Sequence, residues 1–275
     1  MKTFDFNIHL PLLDRGAVNT VVADEFGQTP EGLIKACNQY ENDLRALDGG
    51  HFMLFNTRLF EHDADQLKGF LDHARGMIPN LYYSALIDFR MDDVRTYVER
   101  AFDMGAVGIK FHAYHQQISD DYHNAILSIC HMAEERNRMI CIDTSYGTSK
   151  MYAHDNLKLA CHIADHITKV PIVLLHIGGA RVFEAMLLAH EKQNVMLESS
   201  FSLGYYEGSS IWQDAAFAFR KIGLERVMYG SDYPYVSMQE SMRVHNDFYA
   251  QFGFTEAEIE MMLHDNATEM LATLG

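Results

Sequence analysis

The chain has 275 residues, of which 48% are hydrophobic, so it can bury the core of one large barrel or of two smaller domains. Its formal net charge of −16 argues against nucleic acids and anionic membranes as partners, because both attract clustered lysine and arginine. No apolar run reaches the length of a membrane span, and the expected partner is a small molecule.

No stretch rich in glycine, serine or proline separates two halves, so we expect one domain over residues 1–275. The first six residues include an aspartate, and the four cysteines are scattered without close pairing. We therefore expect a cytoplasmic protein with reduced thiols. The 17 phenylalanines, 14 tyrosines and 16 methionines would suit an apolar subunit interface, which makes a homo-oligomer a further expectation.

Eight short apolar runs alternate with helical patterns along the chain. The predicted strands cover residues 4–9, 51–56, 81–87, 106–111, 139–142, 171–175, 194–197 and 226–230. Residues 10–29 show no period and are predicted to form a long loop that covers a site, and the final helices are predicted at 239–252, 255–263 and 266–274. This alternation predicts an α/β protein, a single-domain (β/α)8 or TIM barrel. An open doubly wound sheet is less favoured, because no glycine-rich phosphate loop follows the first strand.

Polar side chains follow the predicted strands at the points where they end. They are Asn7, His9, Arg58, Arg90, Lys110, His112, Asp143, His176, Glu198 and Asp232. In a barrel these ends meet at one mouth, and a ring of imidazoles, carboxylates and cations is costly to bury unless a site uses it. Each of these groups alone could be a hydrogen-bonded core residue, but together they predict a functional site.

The stretch 227–234 ends its apolar run at Asp232, between Gly230 and Pro234. A strand there would deliver the carboxylate to the mouth of the barrel. The alternative is that Asp232 caps the helix that follows. In the first strand, alternation places Phe4, Phe6 and Ile8 on one face and the residues Asp5, Asn7 and His9 on the inner face.

The sequence resembles the amidohydrolase superfamily, in particular the amidohydrolase 2 branch of metal-dependent TIM-barrel hydrolases and decarboxylases. The resemblance rests on DFNIH at 5–9, similar to an Asp-x-His-x-His opening, on GIKFH at 108–112, LLHIGG at 174–179 and GSDYP at 230–234, and on the terminal NA at 266–267. It implies that His9 is the second histidine of the first-strand pair, His176 the strand-six histidine, and Asp232 an aspartate that binds metal and shuttles a proton. Two positions depart from the pattern, because Asn7 and Asp143 stand where the family has histidines.

The resemblance further implies one divalent metal ion, with zinc foremost, held by His9, Asp143, His176 and Asp232. Asn7 would be a weak ligand at best. Replacing imidazoles by carboxylate and amide makes the ligands harder, which favours manganese or magnesium relative to zinc. The family also includes members that work without a metal, so metal-free action stays open.

Three functions are compatible with this pattern. The first is a hydrolase for a small polar or carboxylated molecule, in which Asp232 and His176 are catalytic and a metal, or the polar ring itself, activates water. The substrate would be held by Arg58, Arg90, Lys110, His112 and Arg181, each of which could instead form a surface ion pair. The second is a decarboxylase on the same site, and the third is a non-catalytic binding barrel.

Overall fold

The computed structural model describes residues 1–11, 28–146 and 148–274. Eight parallel strands lie side by side in the order of the sequence. They are β1 Phe4–Ile8, β2 Gly49–Leu54, β3 Leu81–Leu86, β4 Gly108–His112, β5 Met139–Asp143, β6 Ile172–Leu175, β7 Val195–Glu198 and β8 Val227–Met228. The last strand returns to the first through a bridge between Ile8 and Tyr233 and a hydrogen bond of 3.1 Å from the Phe6 amide to the Tyr229 carbonyl. The predicted TIM barrel is therefore confirmed.

Helices follow the strands on the outside of the barrel. Within the described residues they are α1 Pro30–Gln39, α2 Glu41–Leu44, α3 Ala64–Arg75, α4 Val94–Asp103, α5 His123–Glu135, α6 Asn156–Ala164, α7 Val182–Glu191, α8 Ser202–Tyr205, α9 Ile211–Ile222, α10 Met238–Gln251, α11 Glu256–Glu260 and α12 Asn266–Ala272. Short 3-10 turns occupy Leu59–Glu61, Asp120–Tyr122, Ser149–Tyr152 and Leu224–Arg226, and a π-helical turn, Met261–Asp265, joins α11 to α12. The segment His176–Arg181 after β6 is an irregular turn with positive φ at four consecutive residues, 176–179. None of the described helices is long and apolar enough to cross a bilayer.

Two segments differ from the sequence-based prediction. The second strand was predicted to begin at residue 51, but Gly49 and Gly50 already belong to β2. A side chain at Gly49 would overlap the ring of Phe4, so glycine is needed for the first two strands to approach each other closely. Most of the loop predicted at 10–29 falls at residues 12–27, which lie outside the described residues.

The alternation predicted for the first strand is wrong at its N-terminal end, where it placed Phe4 and Phe6 away from the inner face. The β1–β2 register shifts between Asp5 and Ile8, as a bulge does. Phe4 and Phe6 consequently pack inside the barrel with Met53, while Ile8 packs outward in the layer between sheet and helices. The bulge lets Phe6 and the neighbouring Asn7 both lie near the barrel axis, which simple alternation does not allow.

Apolar side chains fill the lower part of the barrel interior. Phe6, Met53, Cys141, Val173 and Met228 belong to one buried cluster. Above it the interior becomes polar, because the strands end in groups such as those predicted to form the site. The helices pack against the outer face of the sheet through a larger apolar cluster. The barrel is therefore closed below by packing and leaves its polar groups at the C-terminal mouth.

Candidate functional site

A cavity of about 270 Å³ lies at the mouth of the barrel. Five of the predicted site residues line it: His9, His112, Asp143, His176 and Asp232. They come from the ends of five different strands or from the turns directly after them. Lys110 lies just below, with 1% of its surface exposed.

The cavity also contains residues that the sequence reasoning did not single out. These are Phe55, Tyr114, His115, Ser145, Phe201 and Tyr235. All of them follow a strand by one to seven residues, so the signal that could have found them is an aromatic or polar side chain soon after a strand end. The walls are consequently formed by aromatic side chains together with ionisable groups.

His9 and Asp232 form a buried pair, with His9 Nε2 lying 3.0 Å from Asp232 Oδ1. Burial, reinforced by the charge of Lys110, lowers the pKa of His9. Asp232 has a left-handed backbone with φ of 62°, and its amide donates to the Asn7 carbonyl at 3.0 Å. The helix that follows is capped by Ser237, whose side chain accepts from the Glu240 amide. Asp232 therefore faces the cavity and does not cap α10.

Asp143 is the centre of a second cluster. Its Oδ2 atom lies 3.1 Å from His176 Nε2, 3.3 Å from His112 Nε2 and 3.7 Å from Lys110 Nζ. Its Oδ1 atom accepts a hydrogen bond of 2.6 Å from the Ser145 hydroxyl. A single buried carboxylate is thus surrounded by donors and cations on both oxygens.

The charges of this cluster follow from its contacts. Burial alone would raise the pKa of Asp143, but His112, His176 and Lys110 hold it well below its usual value. Burial would lower the pKa of His176, but Asp143, Asp232 and Glu198 together raise it to about 9. Burial lowers the pKa of His112 to about 3. With Asp143 ionised and both His176 and Lys110 positive, the cluster carries a net positive charge.

Phe201 forms the part of the cavity wall next to His176, at a ring-to-ring distance of 5.8 Å. Its backbone has φ of 57° and ψ of −58°, and the Ser202 amide donates to the Ser200 carbonyl at 2.5 Å across it. This is a γ-turn of the strained kind, which L-residues rarely adopt. The turn holds the ring of Phe201 over His176 and stacks it on Tyr205.

Of the five predicted substrate-binding residues only His112 lines the cavity; Lys110 lies below it, and three arginines lie away from it. Arg58 is exposed and contacts Glu61 at 3.4 Å, and Arg90 donates to the Gln116 carbonyl at 2.6 Å. Arg181 contacts Glu184 and also Asp155, the latter at 2.9 Å. Each of the three guanidinium groups is therefore paired with a nearby carboxylate or carbonyl. Such pairing is expected at the surface of a chain with more acidic than basic residues.

The arrangement does not suit the divalent metal ion that the sequence led us to expect. Asp143 already accepts from Ser145 and His176 and lies 3.3 Å from His112 Nε2, and a cation next to it would meet Lys110. Asn7 turns its amide nitrogen toward Ser200 at 3.0 Å. Within residues 1–11, 28–146 and 148–274, no three His, Cys, Asp or Glu side chains are arranged to hold a metal ion.

Comparisons with known proteins agree with this architecture. A family model described as Amidohydrolase matches residues 40–273.

Three similar solved structures are a probable 2-pyrone-4,6-dicarboxylic acid hydrolase from Acinetobacter baumannii, a 5-carboxyvanillate decarboxylase from Sphingomonas paucimobilis and a 2,6-dihydroxybenzoate decarboxylase from Rhizobium. Their TM-scores are 0.61, 0.64 and 0.62 and their identities 15%, 12% and 13%. The matches cover 99%, 98% and 98% of this chain and 100%, 99% and 98% of those chains. At such identities they show a shared fold. A search of curated proteins by sequence finds no match.

Proposed function

Because the chain belongs to the amidohydrolase family, we propose that it is a hydrolase which attacks a small polar or carboxylated molecule with an activated water. One observation carries this proposal. The cavity places a carboxylate, Asp232, and a net positive cluster around Asp143 in the same small space. A proton acceptor and a positive wall are the two groups that addition of water to a carbonyl requires.

Asp232 is the proton acceptor in this proposal. His9 orients its carboxylate through Oδ1, and Asp232 lines the cavity. Water bound there would lose its proton to Asp232 while its oxygen forms the new bond to the carbonyl carbon. The proton then passes from Asp232 to the leaving oxygen or nitrogen, which restores the carboxylate for the next turnover.

The positive cluster stabilises the negative charge that develops on the carbonyl oxygen. Lys110 and His176 are both buried, so their charges are weakly screened by solvent. A carboxylate on the substrate would be attracted to the same wall. The proposal therefore assigns substrate binding to His112, gives Lys110 a role through its charge from below the cavity, and leaves Arg58, Arg90 and Arg181 to local contacts.

Family members usually bind a divalent metal ion. In this chain, however, the side chains expected to bind the metal contact one another, His9 with Asp232 and Asp143 with His176. We propose that the polar ring itself activates water here. Dialysis against a chelator should then leave both the melting temperature and the turnover unchanged. Elemental analysis showing one tightly bound metal ion per chain, with loss of activity on its removal, would contradict this part of the proposal.

A decarboxylase is the second candidate, and the aromatic walls favour it. Phe55, Tyr114, Phe201 and Tyr235 could enclose a flat ring, and two structurally similar proteins are decarboxylases of aromatic acids. His176 would then supply a proton to the ring carbon that loses carbon dioxide. The same site would serve either reaction, so the products must decide.

The experiment is a screen of small esters, lactones, amides and aromatic acids, each with and without a carboxylate, followed by product analysis. We expect a hydrolysis product and no released carbon dioxide. The control variant is Asp88→Asn, which changes an aspartate after β3 that contacts Arg90 outside the cavity. Release of carbon dioxide would favour the second candidate, and no turnover of any compound would favour the binding barrel.

A further inference from the structure

Two adjacent serines after β7 each contact a different buried histidine. Ser200 Oγ lies 3.0 Å from His176 Nδ1, on the side of the ring away from Asp143. Ser199 Oγ lies 2.9 Å from His245 Nε2, and His245 does not line the catalytic cavity. Both serines are buried and neither lines the cavity. Ser200 Oγ also contacts Glu198 and Asn7, whereas Ser199 Oγ also donates to the Met228 carbonyl.

The hydrogen bonds around Ser200 have only one consistent direction. Its hydroxyl donates to Glu198 Oε2 at 2.9 Å, and its amide donates to Glu198 Oε1 at 2.5 Å. The Asn7 side-chain amide donates to Ser200 Oγ at 3.0 Å. Since the hydroxyl proton is directed to Glu198, the remaining lone pair of Ser200 can only accept from His176 Nδ1.

A second contact gives the same direction. His176 Nδ1 also lies 3.3 Å from the Ser200 carbonyl oxygen, which can only accept. His176 Nδ1 therefore carries a hydrogen. The opposite nitrogen, Nε2, faces the Asp143 carboxylate at 3.1 Å, which also accepts. The ring is held between acceptors on both sides.

We propose that Ser200 and Glu198 are positioning residues, which fix His176 as a donor at Nδ1 and so hold its Nε2 atom against Asp143. Their role in turnover rests on the proposed function, because His176 belongs to the positive wall of that site. These contacts run from Glu198 through Ser200 and His176 to Asp143. Asn7 contributes the donor that completes them.

The paired serines provide a matched test. Ser200→Ala and Ser199→Ala each remove a buried hydroxyl that contacts a histidine and donates to another acceptor, so both should lower folding stability. With a substrate found by screening, we expect Ser200→Ala to lower kcat roughly 10- to 100-fold while KM changes little, as for other residues that orient a functional histidine. Ser199→Ala should retain nearly the full kcat.

A second measurement needs no substrate. In protein labelled with ¹⁵N-histidine, His176 is identified by the signal that disappears in His176→Gln. We expect the Nδ1 resonance of His176 to move in Ser200→Ala and to stay in place in Ser199→Ala. An unmoved resonance in Ser200→Ala, or equal losses of kcat in the two serine variants, would overturn the proposal. A moved resonance in a protein that hydrolyses nothing would refute the proposed function while supporting the positioning role.

Discussion

Asp232 combines a left-handed backbone with a carboxylate that contacts His9 in the cavity. Asparagine tolerates this backbone conformation and keeps the shape of the side chain, but it cannot take a proton from water. We therefore expect Asp232→Asn to reduce turnover on the order of a hundredfold or more, with a much smaller change in melting temperature. Rates and a melting curve of the same preparation check this, and near-normal activity would return weight to a binding barrel.

Lys110 and Arg58 were both predicted to hold a substrate, yet their surroundings differ. Lys110 is buried 3.7 Å from Asp143, whereas Arg58 is exposed beside Glu61. Replacing Lys110 by methionine removes a weakly screened charge from the positive wall, so turnover should fall on the order of tenfold or more. Arg58→Gln should leave kcat and KM unchanged. Steady-state kinetics of the two variants make the comparison, and a larger effect of Arg58→Gln would contradict the assignment.

At the scale of the elements, the turn after β8 approaches β1 and β7 closely. A Cβ atom at Gly230 would overlap Glu198 Oε1 and lie 2.9 Å from Asn7 Cβ. Gly230→Ala should therefore lower the free energy of unfolding by about 1–3 kcal/mol, since Asn7 and Glu198, which are both buried, must move apart. Chemical denaturation measures this loss.

Gly69→Ala is the control for this denaturation experiment, because an added Cβ atom meets no neighbour there. Gly69 lies within α3, is exposed, and has no atom within 4 Å of an added Cβ. Alanine is the better helix former, so this variant should gain about 0.5–1 kcal/mol. Equal free energies of unfolding for Gly230→Ala and Gly69→Ala would contradict this prediction. They would show that a Cβ atom at residue 230 fits beside Asn7 and Glu198.

The sequence was sufficient to predict the strands and their order, because each apolar run is short and bounded by helical patterns. It also placed His9, Asp143, His176 and Asp232 at one mouth, since the ends of parallel strands share an edge. Local patterns could not predict the bulge in β1, which depends on contacts with β2 and β8. They also could not show that the arginines are paired elsewhere, because such pairing depends on neighbours distant in sequence.

At the scale of the whole molecule, the buried Asp5 links pH to stability. Burial raises its pKa from 3.8 to about 7, although Ser231 and Asn7 donate hydrogen bonds to it. Between these two values the folded protein holds a proton that the unfolded chain has lost. The free energy of unfolding contributed by Asp5 therefore falls as pH rises from about 4 to about 7.

Asp5→Asn removes this contribution while keeping a neutral side chain of the same shape. The stability of the variant relative to the wild type should rise across that pH window and become constant above about pH 7. Denaturant melts at several pH values measure the difference, with Asp121→Asn, an exposed aspartate, as control. A difference that does not vary with pH would show that Asp5 stays ionised in the folded protein.

At residue 201, the backbone of the γ-turn favours glycine, whereas the contact with His176 favours phenylalanine. Its backbone costs about 1–3 kcal/mol, which glycine would relieve because it lacks a Cβ atom. Glycine would also remove the ring that lies against His176. Laboratory evolution under selection for thermal survival alone should therefore replace Phe201, whereas lineages selected for product formation should keep it. The residue found at position 201 would then show whether a population had been selected for thermal survival or for product formation.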